Sequence, residues 1–208
     1  MTAPNPEAEH HHRRGFQLLT EGSYTESRAE FLKAIEMCPD FPSAYLGLGQ
    51  TFFFANKPDL EEARKAFGRV VELSPHLAEG YQWLGSVQAR SGATKDAVAS
   101  YGRAVTLAPS DARPLIALGA CLIQIKRFGD AVTALRRAIK LKPHYGEASA
   151  HLWLADALLG SGEKKAACEE WKLVLTLPAV YPDHDSALKE AKARLKEHCG
   201  SASKGLGG

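Results

Sequence analysis

The sequence contains little that would support catalysis or metal binding. Its four cysteines, Cys38, Cys121, Cys168 and Cys199, lie far apart without a paired short spacing, so they indicate neither a zinc site nor a redox motif. We interpret them as buried small apolar residues. The sequence has no glycine-rich phosphate loop, no Gly-x-Ser-x-Gly and no His-Glu-x-x-His motif. It therefore predicts a protein that is not an enzyme and that carries no cofactor and no metal.

Charge and hydropathy exclude further classes of protein. The formal net charge is only +2, and the basic residues are scattered among acids, so there is no electrostatic footprint for nucleic acid. A local group of Arg136, Arg137, Lys140 and Lys142 is interpreted as a solvated helix face, with RNA binding as the less favoured alternative. The sequence contains no apolar run of about 18 residues, the length that would predict a membrane span. Residues 1–14 lack the apolar core of a secretory signal, so the expected location is the cytoplasm.

Three consecutive histidines at residues 10–12 could be mistaken for a metal site. Consecutive positions on a helix point in different directions, so three neighbours do not converge on one ion. We interpret them as the solvent-exposed start of a helix.

A spacing of about 34 residues recurs five times along the chain. Most copies contain a small residue, a second small residue twelve positions later, a third seven positions after that, and then a proline. Short insertions around residues 56–60 and at 146–147 fall in connections and leave the helices intact. The three small residues and the proline of the successive copies are Gly15, Ser27, Ala34 and Pro39; Gly49, Ala63, Val70 and Pro75; Gly85, Ala97, Ala104 and Pro109; Gly119, Ala131, Ala138 and Pro143; and Ala155, Ala167, Val174 and Pro178.

The spacing of apolar and small residues within one copy predicts two amphipathic helices. Glycines at Gly22, Gly92 and Gly162 are predicted to form the turn between them. The prolines are predicted to end each second helix, because proline cannot continue the helical hydrogen bonds. Small residues on facing helices permit close approach, so a bulkier side chain at Gly85 or Ala97 is expected to cost about 1–3 kcal/mol.

This pattern resembles the tetratricopeptide repeat. The third copy is the best match, because it has the family's aromatic, leucine, small and proline positions at Tyr81, Leu84, Gly85, Gly92, Ala97, Tyr101, Ala104 and Pro109. The resemblance implies an all-α fold, a right-handed superhelical solenoid of stacked antiparallel helix pairs. It covers about nine-tenths of the chain.

The resemblance and the spacing together predict the organisation of the chain. After the last repeat, Leu188, Ala191, Leu195 and Cys199 fall on one face of a helix whose other face is charged, as expected of a cap that covers the end of a stack. The predicted segments are a flexible N-terminus over 1–7, repeats over 8–41, 42–77, 78–111, 112–145 and 146–181, a capping helix over 182–199 and a flexible tail over 200–208.

In tetratricopeptide proteins, one face of the first helices lines a concave groove that binds peptides. Mapping that face onto each first helix gives an apolar stripe flanked by arginines, residue types that are common at interfaces. The alternative is that some of these side chains pack between neighbouring first helices. The predicted partner-binding residues are Arg13, Phe16, Leu46, Gln50, Phe54, Trp83, Arg90, Arg113, Ile116, Leu152 and Trp153.

The leading hypothesis is a non-enzymatic adaptor that binds an apolar helix or an extended peptide of a partner protein in this groove. The alternative is a structural oligomer that assembles by placing a helix of a second copy in the same groove. A third possibility is that the repeats regulate a catalytic partner. Binding of a chaperone's C-terminal tail is disfavoured, because the positions of the family's lysine, asparagine and arginine clamp are Leu46, Gln50, Trp83, Arg113 and Ala117, of which only Arg113 matches in type.

Overall fold

The computed structural model describes residues 4–141, 146–178 and 183–200. Throughout these ranges all regular structure is helical, as the sequence predicts. A short π-helical segment, Leu195–Cys199, follows the last α-helix. The α-helices are α1 (Pro6–Thr20), α2 (Tyr24–Met37), α3 (Pro42–Phe54), α4 (Leu60–Leu73), α5 (Ala78–Arg90), α6 (Thr94–Leu107), α7 (Ala112–Gln124), α8 (Phe128–Lys140), α9 (Glu147–Gly160), α10 (Lys164–Val174) and α11 (Asp183–Arg194).

Each predicted repeat contains one pair of helices, α1 with α2 through α9 with α10, and α11 occupies the predicted cap. The predicted flexible N-terminus is partly helical, because α1 begins at Pro6 and the side chain of Asn5 accepts a hydrogen bond from Ala8 N at 2.7 Å. Such a cap satisfies one of the free amide groups at a helix start. Residues 1–3, Pro143 and the tail residues 201–208 lie outside the described residues.

The chain divides into two compact units, Met1–Leu107 and Ala108–Gly208. In the first, called unit 1, the two helices of each repeat pack together, and α2 and α4 pack against the first helices that follow them, α3 and α5. In the second, called unit 2, the corresponding contacts join α7 with α8, α8 with α9, and α9 and α10 with α11. The second helices α2, α4 and α8 therefore each contact both their own repeat and the next one within their unit.

The turns between paired helices follow the prediction. Gly22, Gly92 and Gly162 have φ angles of +77°, +84° and +86°, a region that L side chains rarely adopt. In the fourth repeat Lys126 replaces the glycine with φ of +60°. Four of the repeats thus use the same left-handed turn to reverse the chain.

The glycines at the first small position of repeats one to four are explained by one contact inside each of these repeats. A large side chain of the second helix packs where the first helix carries glycine: a Cβ added at Gly85 would lie 2.9 Å from the ring of Tyr101, and one at Gly119 would lie 2.5 Å from Leu135. The predicted close approach at Gly85 is therefore confirmed. The equivalent large residues of the other repeats, all fully buried, are Phe31, Phe67 and Trp171.

We expect glycine-to-alanine substitutions in neighbouring helices to have opposite effects on stability. A Cβ at Gly47 in α3 would overlap the buried ring of Phe31, so Gly47→Ala should lower the free energy of unfolding by about 1–3 kcal/mol. A Cβ at Gly68 in α4 meets no atom within 4 Å, so Gly68→Ala should raise it by about 0.5–1 kcal/mol through helix propensity. Urea unfolding followed by circular dichroism measures both, and equal changes would contradict this packing.

Candidate partner-binding surface

Three aromatic side chains of unit 1 form a packed group where α3 ends beside α5. We call Phe53, Phe54 and Trp83 the aromatic cluster. The ring centroids of Phe54 and Trp83 are 5.5 Å apart at an interplanar angle of 86°, and those of Phe53 and Trp83 are 5.7 Å apart at 74°. Both are edge-to-face contacts, a favoured geometry for aromatic pairs. Phe54 remains 47% exposed, so the cluster has an apolar side open to solvent.

Trp83, in the aromatic cluster, also contacts Phe67 of α4 and Glu79 of α5. The fully buried ring of Phe67 in α4 stacks on Trp83, with centroids 5.6 Å apart at an angle of 13°. The indole N–H of Trp83 donates to Glu79 Oε1 at 3.4 Å. The position of Trp83 is therefore fixed by contacts with α3, with α4 and within α5.

Arg90 is the cation beside the aromatic cluster. Its Nη1 donates a hydrogen bond to the backbone oxygen of Phe53 at 2.9 Å, and its guanidinium carbon lies 4.8 Å from the centroid of the Phe53 ring. A guanidinium over a ring face is a cation–π contact. The Arg90 side chain is nevertheless exposed, and the Phe53 ring that it covers lies 5.2 Å, centroid to centroid, from the exposed ring of Phe54. The surface therefore offers rigid rings and a charged hydrogen-bond donor together.

The histidines at residues 10–12 of α1 are less exposed than the sequence predicts. His12 is half-buried, with its ring 4.6 Å from Phe41 and 4.9 Å from Phe16, and burial lowers the pKa of its imidazole. The Nδ1 atom of His11 lies 2.6 Å from Glu30 Oε2, and this hydrogen bond lowers the pKa of the Glu30 carboxyl. Of the three histidines, only His10 is fully solvent-exposed, so the interpretation of an exposed histidine run is wrong for the other two.

Two predicted groove residues are buried. Leu46 is 7% exposed and packs with Phe67 and Val87, and Leu152 is 3% exposed. Both lie at the same repeat position, three residues before the first small residue of their copies, Gly49 and Ala155. In unit 1 that position faces the following repeat, because Val87 lies on α5. The prediction that these leucines are exposed is therefore wrong, and they present no side-chain surface to a partner.

The other predicted residues vary in exposure. Arg113 is exposed, and its Nη2 donates to Asp111 Oδ2 at 2.7 Å while its Nε lies 3.1 Å from both carboxylate oxygens. Ile116 packs near the start of α9, since a Cβ at Gly146 would lie 3.1 Å from its Cδ1. Arg13 is exposed, whereas Phe16, Gln50, Ile116 and Trp153 are half-buried. The structure brings Phe54, Trp83 and Arg90 together, and it adds Phe53, which the list of predicted residues omits.

The end of unit 2 contains a second group of charged and aromatic residues. Asp156 on α9 lies 3.4 Å from Arg194 Nε on α11. Trp171 on α10 is fully buried, and the imidazole of His198 stacks on it with centroids 5.7 Å apart at an angle of 22°. Burial raises the pKa of the Asp156 carboxyl above its usual range, although Arg194 acts in the opposite direction.

We expect Asp156→Asn to stabilise the protein at neutral pH and to have no effect in acid. A folded-state pKa above the unfolded value means that ionised Asp156 costs stability, and this cost grows as the pH rises through the folded pKa. Below the unfolded pKa of about 3.9 both states are protonated and the cost disappears. Urea unfolding of the variant and the wild type across this pH range measures the difference. A gain that does not change with pH would contradict this assignment.

The C-terminal end is also linked covalently. Cys168 on α10 and Cys199 at the end of the π-helical segment form a disulfide, with their Cα atoms 6.2 Å apart. The prediction of buried apolar cysteines is confirmed for Cys38 and Cys121 and is wrong for this pair. Because 31 positions separate the two residues, only the docking of α11 brings them together.

Within the described ranges, histidine, cysteine, aspartate and glutamate side chains form no group of three or more that could hold a metal ion. A search of the same residues finds no helix of the length and apolarity needed to cross a membrane.

Comparison with known proteins identifies the repeat. A family model described as "TPR repeat" matches residues 17–53, and one described as "Tetratricopeptide repeat" matches residues 59–112 and 122–173. The predicted resemblance and the predicted all-α class are confirmed. No curated protein sequence matches the chain.

Solved structures with the same fold cover most of the chain. MamA 41-end from Desulfovibrio magneticus RS-1 is 22% identical, covering 84% of this chain and 97% of its own, with a TM-score of 0.74. YrrB, described as a TPR protein with an unusual peptide-binding site, is 20% identical and covers 88% and 90%, with a TM-score of 0.70. The pilF protein of Pseudomonas aeruginosa is 17% identical and covers 94% and 93%, with a TM-score of 0.72. At these identities the likeness shows the fold alone.

Proposed function

The chain belongs to the tetratricopeptide repeat family, a family of protein–protein interaction modules, and we propose that it is a non-enzymatic adaptor. In this proposal the aromatic cluster binds an apolar helix or an extended peptide of a partner protein. The observation that carries this proposal is the exposed ring of Phe54 packed edge-on against Trp83, with Arg90 beside it. Aromatic and arginine side chains are the types most often found as interface hot spots.

The packing of the aromatic cluster favours binding because its rings are already ordered. Trp83 is held by Phe67 on one face and by the edges of Phe53 and Phe54. When a partner covers these rings, the protein therefore loses little side-chain entropy. Such a loss otherwise opposes association. Burial of exposed apolar surface then supplies the driving force for binding.

The charge next to the aromatic cluster favours a partner segment that combines apolar side chains with a carboxylate. The exposed guanidinium of Arg90 lies over the ring of Phe53, so an acidic group on an otherwise apolar segment would meet a donor at the edge of the aromatic cluster. Charge-assisted hydrogen bonds of this kind add orientation to a largely apolar contact. Peptide binding in this fold is also described for the structurally similar YrrB.

Partner capture from the source organism's extract tests the proposal. Phe54→Glu is the primary variant because the ring is exposed, and Trp83→Glu is a second variant that acts closer to the core. Leu32→Glu is a matched control, since Leu32 is 49% exposed on α2 and outside the aromatic cluster. All proteins are first checked for helical content.

The expected result is a partner retained by the wild type and by Leu32→Glu and lost by folded Phe54→Glu. If Phe54→Glu retains every partner, the aromatic cluster is not the binding surface. The wild type could instead bind only itself. If light scattering shows an assembly of the wild type and a monomer for Phe54→Glu, the protein is an oligomer rather than an adaptor.

A further inference from the structure

Two of the three most buried side chains described for the C-terminal helix are alanines. The residues of α11 that are fully or almost fully buried are Ala187, Ala191 and His184, and α11 packs against α9 and α10. Alanine is the smallest apolar side chain and buries little surface. The packing of α11 alone therefore contributes only modestly to its attachment.

The polar contacts of this segment are also weak. The closest approach between Arg194 and Asp156 is 3.4 Å, longer than a good charge-assisted hydrogen bond. His198 stacks on Trp171, and it directly precedes the cysteine of the disulfide. The covalent bond between Cys168 and Cys199 is therefore the strongest single link between α10 and the C-terminal segment.

Both sulfur-bearing residues are partly accessible to solvent, unlike the buried Cys38 and Cys121. We propose that Cys168 and Cys199 form a reversible thiol–disulfide switch, which latches the C-terminal segment, residues 183–199, onto the end of unit 2 and releases it when a small dithiol reduces the pair. Disulfides persist in oxidising surroundings and are reduced in the cytosol, so the state of the latch reports the compartment.

The exchange is balanced in atoms and electrons. A thiolate of the dithiol attacks one sulfur of the pair and forms a mixed disulfide, while the other cysteine leaves as a thiolate and takes up a proton. The second thiol of the reductant then displaces the first cysteine, which is likewise protonated. The products are two cysteine thiols and the oxidised, cyclic reductant. A disulfide-bearing oxidant such as glutathione disulfide runs the same exchange in reverse.

Reduction changes a defined part of the molecule. Opening the bond restores the conformational freedom that the cross-link removes from the undocked segment. With α11 released, Trp171 loses the stacked imidazole of His198, and Asp156 loses its contact with Arg194. The end of unit 2 then exposes an indole and a carboxylate that the latched form covers.

Hydrogen exchange of the full chain tests the switch. The protein is compared after equilibration with glutathione disulfide and after reduction by dithiothreitol, with mass spectrometry counting the bonded cysteines. The expected result is that reduction speeds amide exchange of residues 183–199 by about 100-fold. Peptides from α3 and α4, in unit 1, should be unaffected.

The double variant Cys168→Ser with Cys199→Ser is the matched control, and it should show the faster exchange in both buffers. Three results would overturn the proposal. The first is equal protection of 183–199 with and without the bond, and the second is a pair that does not form in the oxidising buffer. The third is loss of protection throughout unit 2 on reduction, which would make the disulfide a staple of the whole unit.

Discussion

Replacing Phe67 by alanine is expected to lower the free energy of unfolding by about 3–5 kcal/mol. Phe67 is fully buried, it fills the space opposite Gly49, and its ring is the stacking partner of Trp83. Truncation removes the transfer energy of the ring and leaves a cavity that neighbouring helices fill only in part. Urea unfolding followed by circular dichroism measures the loss.

Phe54→Ala is the matched control for this prediction. It removes the same side chain at a site that is 47% exposed, so the free energy of unfolding should fall only by about 0.5–1.5 kcal/mol, the worth of an edge-to-face contact such as the one with Trp83. Similar costs at both positions would mean that Phe67 is not the core residue that supports the aromatic cluster. Because Trp83 stacks on Phe67, the Phe67→Ala protein should also show altered tryptophan fluorescence.

Trp83→Ala is expected to have the largest effect on binding. Loss of a central aromatic hot spot costs 2 kcal/mol or more, so affinity for a captured partner should fall by about 30-fold or more. The indole sits between the supporting ring of Phe67 and the exposed ring of Phe54, so its removal takes away the centre of the proposed surface. Isothermal titration calorimetry measures the change on protein shown to be folded.

Trp153→Ala is the comparison that locates this effect. Trp153 is a half-buried tryptophan at the equivalent position of a first helix, but it belongs to unit 2. We expect this substitution to change the affinity by less than about 3-fold, within the range of peripheral interface residues. Equal losses for the two variants would place the binding surface on both units rather than on the aromatic cluster.

The helices and their turns could be predicted because the forces that form them act within one repeat. Helical periodicity, left-handed glycine turns and the contact of Gly85 with Tyr101 all involve residues close in sequence, and the repetition shows the same solution several times. The same reasoning identified Phe54, Trp83 and Arg90 as neighbours on one face, and they are grouped in the structure.

The burial of Leu46 and Leu152 could not be read from a single helix. An isolated helical projection assigns both leucines to the side opposite the paired helix, yet in unit 1 the next repeat covers this side at Leu46, where Val87 of α5 packs. His12 is partly buried for a similar reason, because Phe41, the residue directly before α3, packs on its ring. Exposure on a first helix depends on how the repeats stack.

The sequence did not indicate the disulfide, and it left Phe53 outside the predicted residues for a different reason. Cys168 and Cys199 meet only because α11 docks, and sequence spacing carries no sign of that contact. Phe53 lies one position away from the predicted face, but its ring makes an edge-to-face contact with Trp83 and a cation–π contact with Arg90. Here side-chain packing extends the surface beyond the helical positions that a regular projection selects.

The most direct test of the central claim selects peptides that bind the wild type from a random displayed library. The selected peptides are then titrated by calorimetry against the wild type, Phe54→Glu and Leu32→Glu. The account predicts peptides rich in apolar residues with an acidic group. They should bind the wild type and Leu32→Glu alike and lose measurable affinity for Phe54→Glu. Peptides that bind all three proteins equally would show that the aromatic cluster is not the site at which this protein recognises its partners.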